Sequence, residues 1–368
     1  MPDDQAPPPA EQYAELGFYT LAGHSDTPRD LIGEVRRAER LGIGATFISE
    51  RFATKEAATL SGAAGAVSES IGIATGATNH NTRHPIVTAT FATTMHRLTG
   101  GRFALGLGRG FDRFFRAVGL DPITSDQIED FVGVMRRLWR GDAVLRHDGP
   151  AGTYPYLHQD PDFDEDVPVM LAALGPRSLE LAGRCMDGVV LHTFYSDAAV
   201  TKALAAVARG AASVGRDPAE VRVWSVLATV SDEIPEERRL KKTVGRLASY
   251  LQGYGDLMVR VNDWDPAALA RFRADPLISG FRGAIDAKAT TAELEHIASL
   301  IPPEWFETSA TGTARRCAEE VVRQFDLGVT GVIMHGATPD ELGGVVAEYG
   351  KIRPAALKRL PANPGRMR

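Results

Sequence analysis

Cysteine is nearly missing from this chain: Cys185 and Cys317 are the only two among 368 residues. Two thiols cannot build a disulfide framework or a four-ligand zinc site. Both fall in stretches with helical patterning, where a cysteine packs as a small hydrophobe. Their scarcity points to a reducing, cytoplasmic compartment. An excess of positive charge is also missing. Lys and Arg total 41 against 47 Asp and Glu, a net charge of −6, so no nucleic-acid footprint is expected. Long apolar runs are absent: the longest uncharged stretches, His84–His96 and Leu327–Pro339, have thirteen residues each. A membrane span takes roughly 17 to 25, so no membrane partner is expected. The opening Met1-Pro2-Asp3-Asp4-Gln5 and Pro7-Pro8-Pro9 lack the basic and apolar regions of a secretion signal.

What is present is ordinary globular composition, 44% apolar and 24% charged. Short β-rich runs alternate with helical patterns along nearly the whole chain. The spacing predicts strands at Leu16–Ala22, Ala45–Ser49, Ile71–Thr75, Arg102–Leu107, Val167–Ala172, Gly188–His192, Val221–Thr229 and Gly331–His335. Most are continuous apolar runs, the pattern of strands covered on both faces. Helices are predicted between them, with caps at Asp26-Thr27-Pro28 and Thr338-Pro339. Gly42 and Gly328 are placed to end helices in the left-handed conformation. Eight strand–helix units predict an α/β fold, a single (β/α)8 TIM barrel over residues 16–360, with an open doubly wound sheet as the alternative. Residues 1–15 and 361–368 read as tails. Two intervals exceed plain barrel loops, about 108–166 and about 230–312, and are read as helical insertions at the carboxyl face of the strands. Gly253-x-Gly255, Gly280 and Gly283 interrupt the second, as hinges of a lid would.

Barrel chemistry gathers at strand carboxyl ends. Those ends carry His24, Glu50, His192 and His335, the candidates for moving a proton. No metal site is expected: HExxH does not occur, and His80-x-x-x-His84 lies in a polar loop. Gly106-x-Gly108-x-Gly110 follows a strand, but Phe111 replaces the third glycine of a dinucleotide fingerprint and no helix is expected to start there. Its glycines suit close approach of a flat ligand. Ala173-Leu174-Gly175-Pro176-Arg177-Ser178 turns into a helix whose exposed N–H groups and dipole suit an anion, with an ordinary capped loop as the plain alternative.

Several segments together resemble the bacterial-luciferase-like superfamily of flavin- and deazaflavin-dependent oxidoreductases, most closely its coenzyme F420-dependent branch. They are Leu16-Gly17-Phe18-Tyr19, Ala38–Gly42 leading to Phe47–Arg51, Ile71–Gly76, Asn79–Pro85, Leu98–Phe103 with Leu105–Gly110, and Leu174–Ser178 with Leu181–Gly183 and Asp187–Val189. The resemblance covers about residues 16–195 and weakly resumes near Gly328–Gly336. It implies a hydride transfer between coenzyme F420 and a small-molecule substrate. The ring would rest on a bulged third strand around Thr75-Gly76, often marked by a non-prolyl cis peptide, and against Gly108-Arg109-Gly110. The phosphate would sit in the turn of Ala173, Gly175, Pro176, Arg177 and Ser178. Glu50 would hold the active-site position of strand two. Sugar-phosphate dehydrogenases of that branch carry Asp-His at strand two and Glu after the Gly-x-Gly of strand four, where this chain has Glu50-Arg51 and Arg109. An FMN-dependent monooxygenase and a non-catalytic flavin-binding barrel are the alternatives. The small residues of Lys55–Val67 predict a homodimer through that helix. Arg51, Arg83, Arg109 and Arg177 are expected to attract the cofactor's anionic tail.

Overall fold

The computed structural model describes residues 11–23, 27–52, 54–159 and 165–368. Its strands are β1 (Tyr13–Tyr19), β2 (Ile43–Ile48), β3 (Gly72–Thr75), β4 (Phe103–Gly108), β5 (Val144–Gly149), β6 (Gly152–Leu157), β7 (Val169–Ala172), β8 (Gly188–Thr193), β9 (Arg222–Ser231), β10 (Ala310–Gly312) and β11 (Gly331–His335). The sheet runs β10-β9-β11-β1-β2-β3-β4-β7-β8, and β9 also pairs with β8. Setting aside β10, eight strands with helices between them form a (β/α)8 TIM barrel. β5 and β6 make a separate antiparallel hairpin inside the first insertion.

The chain divides into two compact units. The first comprises Met1–Ile43, Leu191–Leu204 and Trp224–Lys358. In it β1 pairs with β11, and β11 with β9, all parallel. The insertion after β9 builds a core of its own around Leu247, Leu251, Phe272 and Leu294, with Trp264 stacked on Trp305 at 4.4 Å between ring centroids. β1 buries Glu15 fully, and Arg353 (2.6 and 2.8 Å) and Tyr349 (2.7 Å) satisfy its carboxylate. This explains why β1 starts at Tyr13 rather than Leu16: periodicity cannot foresee a charged residue buried against a distant arginine. The left-handed Leu21 (φ 55°) follows the strand.

The second unit comprises Gly44–Val190, Ala205–Val223 and Arg359–Arg368. It contains most of β2, and β3, β4 and β7 in parallel order. Its C-terminal residues, expected as a tail, are pinned down. Fully buried Arg222 donates to the carbonyls of Pro361, Asn363 and Arg366, and Asn363 donates to those of Gly101 and Phe103.

Local chemistry sets the helix starts. Thr124 and Gln127 form a capping box ahead of Ser125–Trp139, as Thr338 and Glu341 do before Pro339–Ile352. Gly42 (φ 80°) and Gly328 (φ 104°) are left-handed as expected. At Asp26-Thr27-Pro28 the Thr27 hydroxyl accepts the Arg29 N–H at 3.3 Å and its carbonyl the Asp30 N–H at 3.3 Å, a capped turn that leads into the Asp30–Arg40 helix, while Asp26 lies outside the described residues. A short helix, Asp112–Ala117, occurs where none was expected, because Phe115 buries itself under the left-handed Gly110.

Candidate active site

In the second unit the strand ends converge on Glu50. Its side chain is only 3% exposed. One oxygen accepts the Ala57 N–H at 3.1 Å, and the other accepts the Thr78 hydroxyl at 2.9 Å and Arg83 Nη2 at 2.8 Å. Arg83 also donates to Thr78 Oγ1 at 2.8 Å and pairs with Glu56, the N-cap of the Ala57–Ala66 helix. Burial works against the Arg83 charge, but its bonds to Glu50 and Glu56 hold its pKa above the ordinary value. Glu50 thus has both carboxylate oxygens engaged by donors.

β3 ends at Thr75, and the next peptide but one, Gly76–Ala77, is cis. Thr75 Oγ1 clamps β4, donating to Gly106 O at 2.7 Å and accepting from Gly106 N at 2.8 Å. A Cβ on Gly106 would stand 1.8 Å from Thr75 O, so this glycine is required by strand approach. Gly108 bonds Thr78 through its N–H and Asn79 through its carbonyl. Arg109 turns away to Ile123 O at 2.8 Å. Phe52 and Phe114 stack at 5.7 Å and stay largely exposed.

The turn at Ala173–Ser178 enters the Pro176–Cys185 helix with Gly175 extended at the N-cap and no side chain capping it. A Cβ at Gly175 would meet nothing within 4 Å, so the turn opens onto free space. No side chain caps this ten-residue helix; Pro176 at its first position has no N–H, Ser178 and Leu179 donate theirs to Gly175 O at 3.1 Å, and Arg177 is exposed beside the turn. Ala173 is committed differently: its N–H bonds Val190 O at 2.9 Å.

In the first unit the strand ends carry rings. His192 Nδ1 lies 2.9 Å from Thr193 O and its Nε2 2.6 Å from the Tyr254 hydroxyl. A carbonyl only accepts, so Nδ1 bears the hydrogen and Nε2 accepts from Tyr254. Burial pushes the His192 pKa down to about 4, although the Thr193 bond opposes this. Tyr250 packs edge-on to the imidazole at 4.9 Å, and the Arg246 guanidinium lies 5.9 Å from the Tyr250 ring centroid. Arg246 is ion-paired with Asp286 at 2.8 Å. Buried His335 meets Tyr19 edge-on at 5.5 Å.

The structure therefore brings Thr75, Gly76, Gly108 and Glu50 into one bonded cluster and sets His192 and His335 among aromatic rings. His24 lies outside the described residues. Of the four arginines expected to draw an anionic tail, Arg83 is tied to Glu50 and Glu56 and Arg109 to Ile123, while Arg177 is exposed. His80 is buried against Phe131 with its pKa pushed down by burial to about 4, and His84 caps a helix through Nδ1. Both cysteines are free, and burial pushes their thiols up to about 11 (Cys185) and about 12 (Cys317). No group of three or more His, Cys, Asp or Glu among the described residues could hold a metal, and no described helix is long and apolar enough to cross a membrane. Sequence reading missed Thr78, Arg83's partnership and Tyr254. The only signal for the last is its placement between Gly253 and Gly255.

The luciferase-like monooxygenase family model matches residues 8–331. The 5,10-methylenetetrahydromethanopterin reductase of Methanolobus tindarius is 27% identical over 315 residues, covering 84% of this chain and 90% of the relative. The F420-dependent glucose-6-phosphate dehydrogenase of Intrasporangium calvum is 25% identical over 337 residues, covering 85% and 90%. Among solved structures, the coenzyme F420 dependent tetrahydromethanopterin reductase from Methanopyrus kandleri superposes with a TM-score of 0.77 at 19% identity, over 94% of this chain and 100% of that one.

Proposed function

The chain belongs to the luciferase-like monooxygenase family, and on that premise we propose that it transfers a hydride between coenzyme F420 and a carbon of a small organic substrate. The observation that carries the reading is the uncapped, open turn at Gly175 and Arg177. In the second unit it lies on the loop after β7, and the glycine-lined ends of β3 and β4 belong to the same unit. Gly175, Pro176, Arg177 and Ser178 would hold the phosphate. Thr75, Gly76, Gly108, Arg109 and Gly110 would present backbone to the ring, and Ala173 would shape the turn. The relative named for F420 supports the same cofactor.

When bound, a deazaflavin supplies a carbon that accepts or gives a hydride. The chain's own part is to seat it, exclude water and manage a proton. His192, His335 and His24 are the proton candidates. Glu50, the fourth candidate, is held by three donors at its strand end. A sugar phosphate is a poor match, because Glu50-Arg51 and Arg109 stand at the positions that distinguish such dehydrogenases. The second reading, an FMN-dependent monooxygenase, is supported by the family's own description.

We place the protein in the cytoplasm as a homodimer. Gly65 of the Ala57–Ala66 helix packs on Met95, Leu98 and Thr99, whereas a Cβ at Gly62 would meet nothing within 4 Å. That leaves the Gly62 face for a second copy. Anaerobic mixing with F420 or its reduced form and a panel of alcohols, carbonyls and imines tests the chemistry. Turnover is expected at full rate without oxygen; turnover that requires oxygen and FMN would replace this reading with the monooxygenase.

A further inference from the structure

The His192–Tyr254 pair has a direction, a cause and a chemistry. The direction follows from Thr193 O, which leaves Nε2 as the acceptor of the Tyr254 O–H at 2.6 Å. The cause is a break in the Arg246–Asn262 helix: Tyr254 has non-helical φ −152° and ψ 36°, with a glycine on each side. A Cβ on Gly255 would stand 2.8 Å from Leu269 Cδ1, so the chain runs close to the Leu269 side chain there. The break turns Tyr254 off the helical path and onto the end of β8. Leu247, Leu251 and Leu269 fill the insertion's core, and Tyr250 and Tyr254 pack against it.

The surroundings narrow the chemistry. Tyr250 and Tyr254 are half-buried, 5.4 Å apart, with His192 edge-on to both. The nearby cation, Arg246, is committed to Asp286, and Lys242 to Glu341 and the Gly336 carbonyl. This wall therefore offers a ligand ring faces and one hydroxyl–imidazole couple. Such a surface fits an uncharged carbon–oxygen group better than an anion.

We propose that Tyr254 is the catalytic residue that exchanges a proton with the substrate oxygen, relayed by His192, and that the substrate is an alcohol or the corresponding carbonyl compound. The inference rests on the hydride-transfer reading above. In oxidation the substrate C–H bond breaks with its electron pair, and the hydride passes to a 5-deazaflavin acceptor. The substrate O–H proton goes to Tyr254 Oη as the tyrosine's own proton moves to His192 Nε2, and the C=O bond forms. The imidazolium, still bonded to Thr193 O, then releases one proton to solvent. Reduction is the reverse. Burial leaves His192 neutral at neutral pH, so Nε2 is open as the acceptor of the Tyr254 hydrogen, and it makes the imidazolium acidic enough to pass its proton on readily.

The test combines spectroscopy with kinetics on the full-length protein. By 15N NMR, His192 is expected as the neutral Nδ1–H tautomer, with its Nε2 resonance displaced in Tyr254→Phe. An Nε2–H tautomer in the wild type would overturn the relay without recourse to any variant. With F420 and a panel of secondary alcohols and ketones, Tyr254→Phe is expected to lower kcat about 10²- to 10⁴-fold with KM nearly unchanged. His192→Gln keeps an acceptor but cannot carry a proton, and is expected to fall at least tenfold and flatten the pH profile. A merely structural role would leave His192→Gln near wild type. Fluorescence titration of F420 separates the two levels of the argument. Wild-type protein that binds no F420 removes the underlying reading and the relay with it. Wild-type turnover that survives Tyr254→Phe removes the relay alone, and F420 binding without turnover of any alcohol or carbonyl overturns the substrate class.

Discussion

The two polar clusters at the strand ends use hydrogen bonds to opposite purposes. Glu50, Arg83, Thr78 and Glu56 in the second unit form a charged network in which the Glu50 carboxylate is engaged three times over. His192 and Tyr254 in the first unit are two neutral groups joined by one bond. A buried ion pair with all its contacts made holds its geometry and gives up protons reluctantly. A neutral phenol–imidazole couple costs little to form and can pass a proton along its axis. In the relay proposed above, the tyrosine supplied by an insertion carries the chemistry, while the carboxylate at a strand end, the first place to look for an acid, is held by three donors.

Removing one partner from each cluster should expose that contrast. Arg83→Met leaves Glu50 buried and uncompensated and is expected to cost about 3–5 kcal/mol of stability. Tyr254→Phe, which deletes one neutral hydrogen bond, is expected to cost about 0.5–1.5 kcal/mol. Denaturant unfolding of the two variants checks the order, and equal losses would dissolve the distinction.

A smaller effect concerns acid. His80 in the second unit and His192 in the first both have pKa values pushed down by burial to about 4. The unfolded chain binds those protons near the ordinary value of about 6.5. Stability from keeping the rings neutral is therefore complete above about 6.5, and falls as pH drops toward 4. Unfolding midpoints measured between pH 7 and 4 should decline, and His80→Asn should flatten part of that decline. An unchanged slope would mean that His80 titrates normally.

Much of this was legible in the residues. Continuous apolar runs broken by Gly42 and Gly328 mark a barrel, and the cap read at Thr338-Pro339 opens the Pro339–Ile352 helix. Burial of charge was not legible. Glu15 and Arg222 are fully buried because Arg353 and the C-terminal carbonyls reach them from more than a hundred residues away, and no local pattern encodes such a partner. The Glu50–Arg83 and His192–Tyr254 pairs, 33 and 62 residues apart, share that property. The helix break at Tyr254 is intermediate: Gly253 and Gly255 mark it, but only the structure shows that it carries Tyr254 to His192.

The most direct test of the central claim is an equilibrium titration of purified protein with coenzyme F420 and with FMN, at low and high salt and in Arg177→Ala. F420 is predicted to bind tighter than FMN and to weaken with salt, because exposed charge contacts are screened. Arg177→Ala should weaken it further by about 1–3 kcal/mol, the worth of a charged hydrogen bond to phosphate. Micromolar binding of FMN with no measurable binding of F420 would contradict the account.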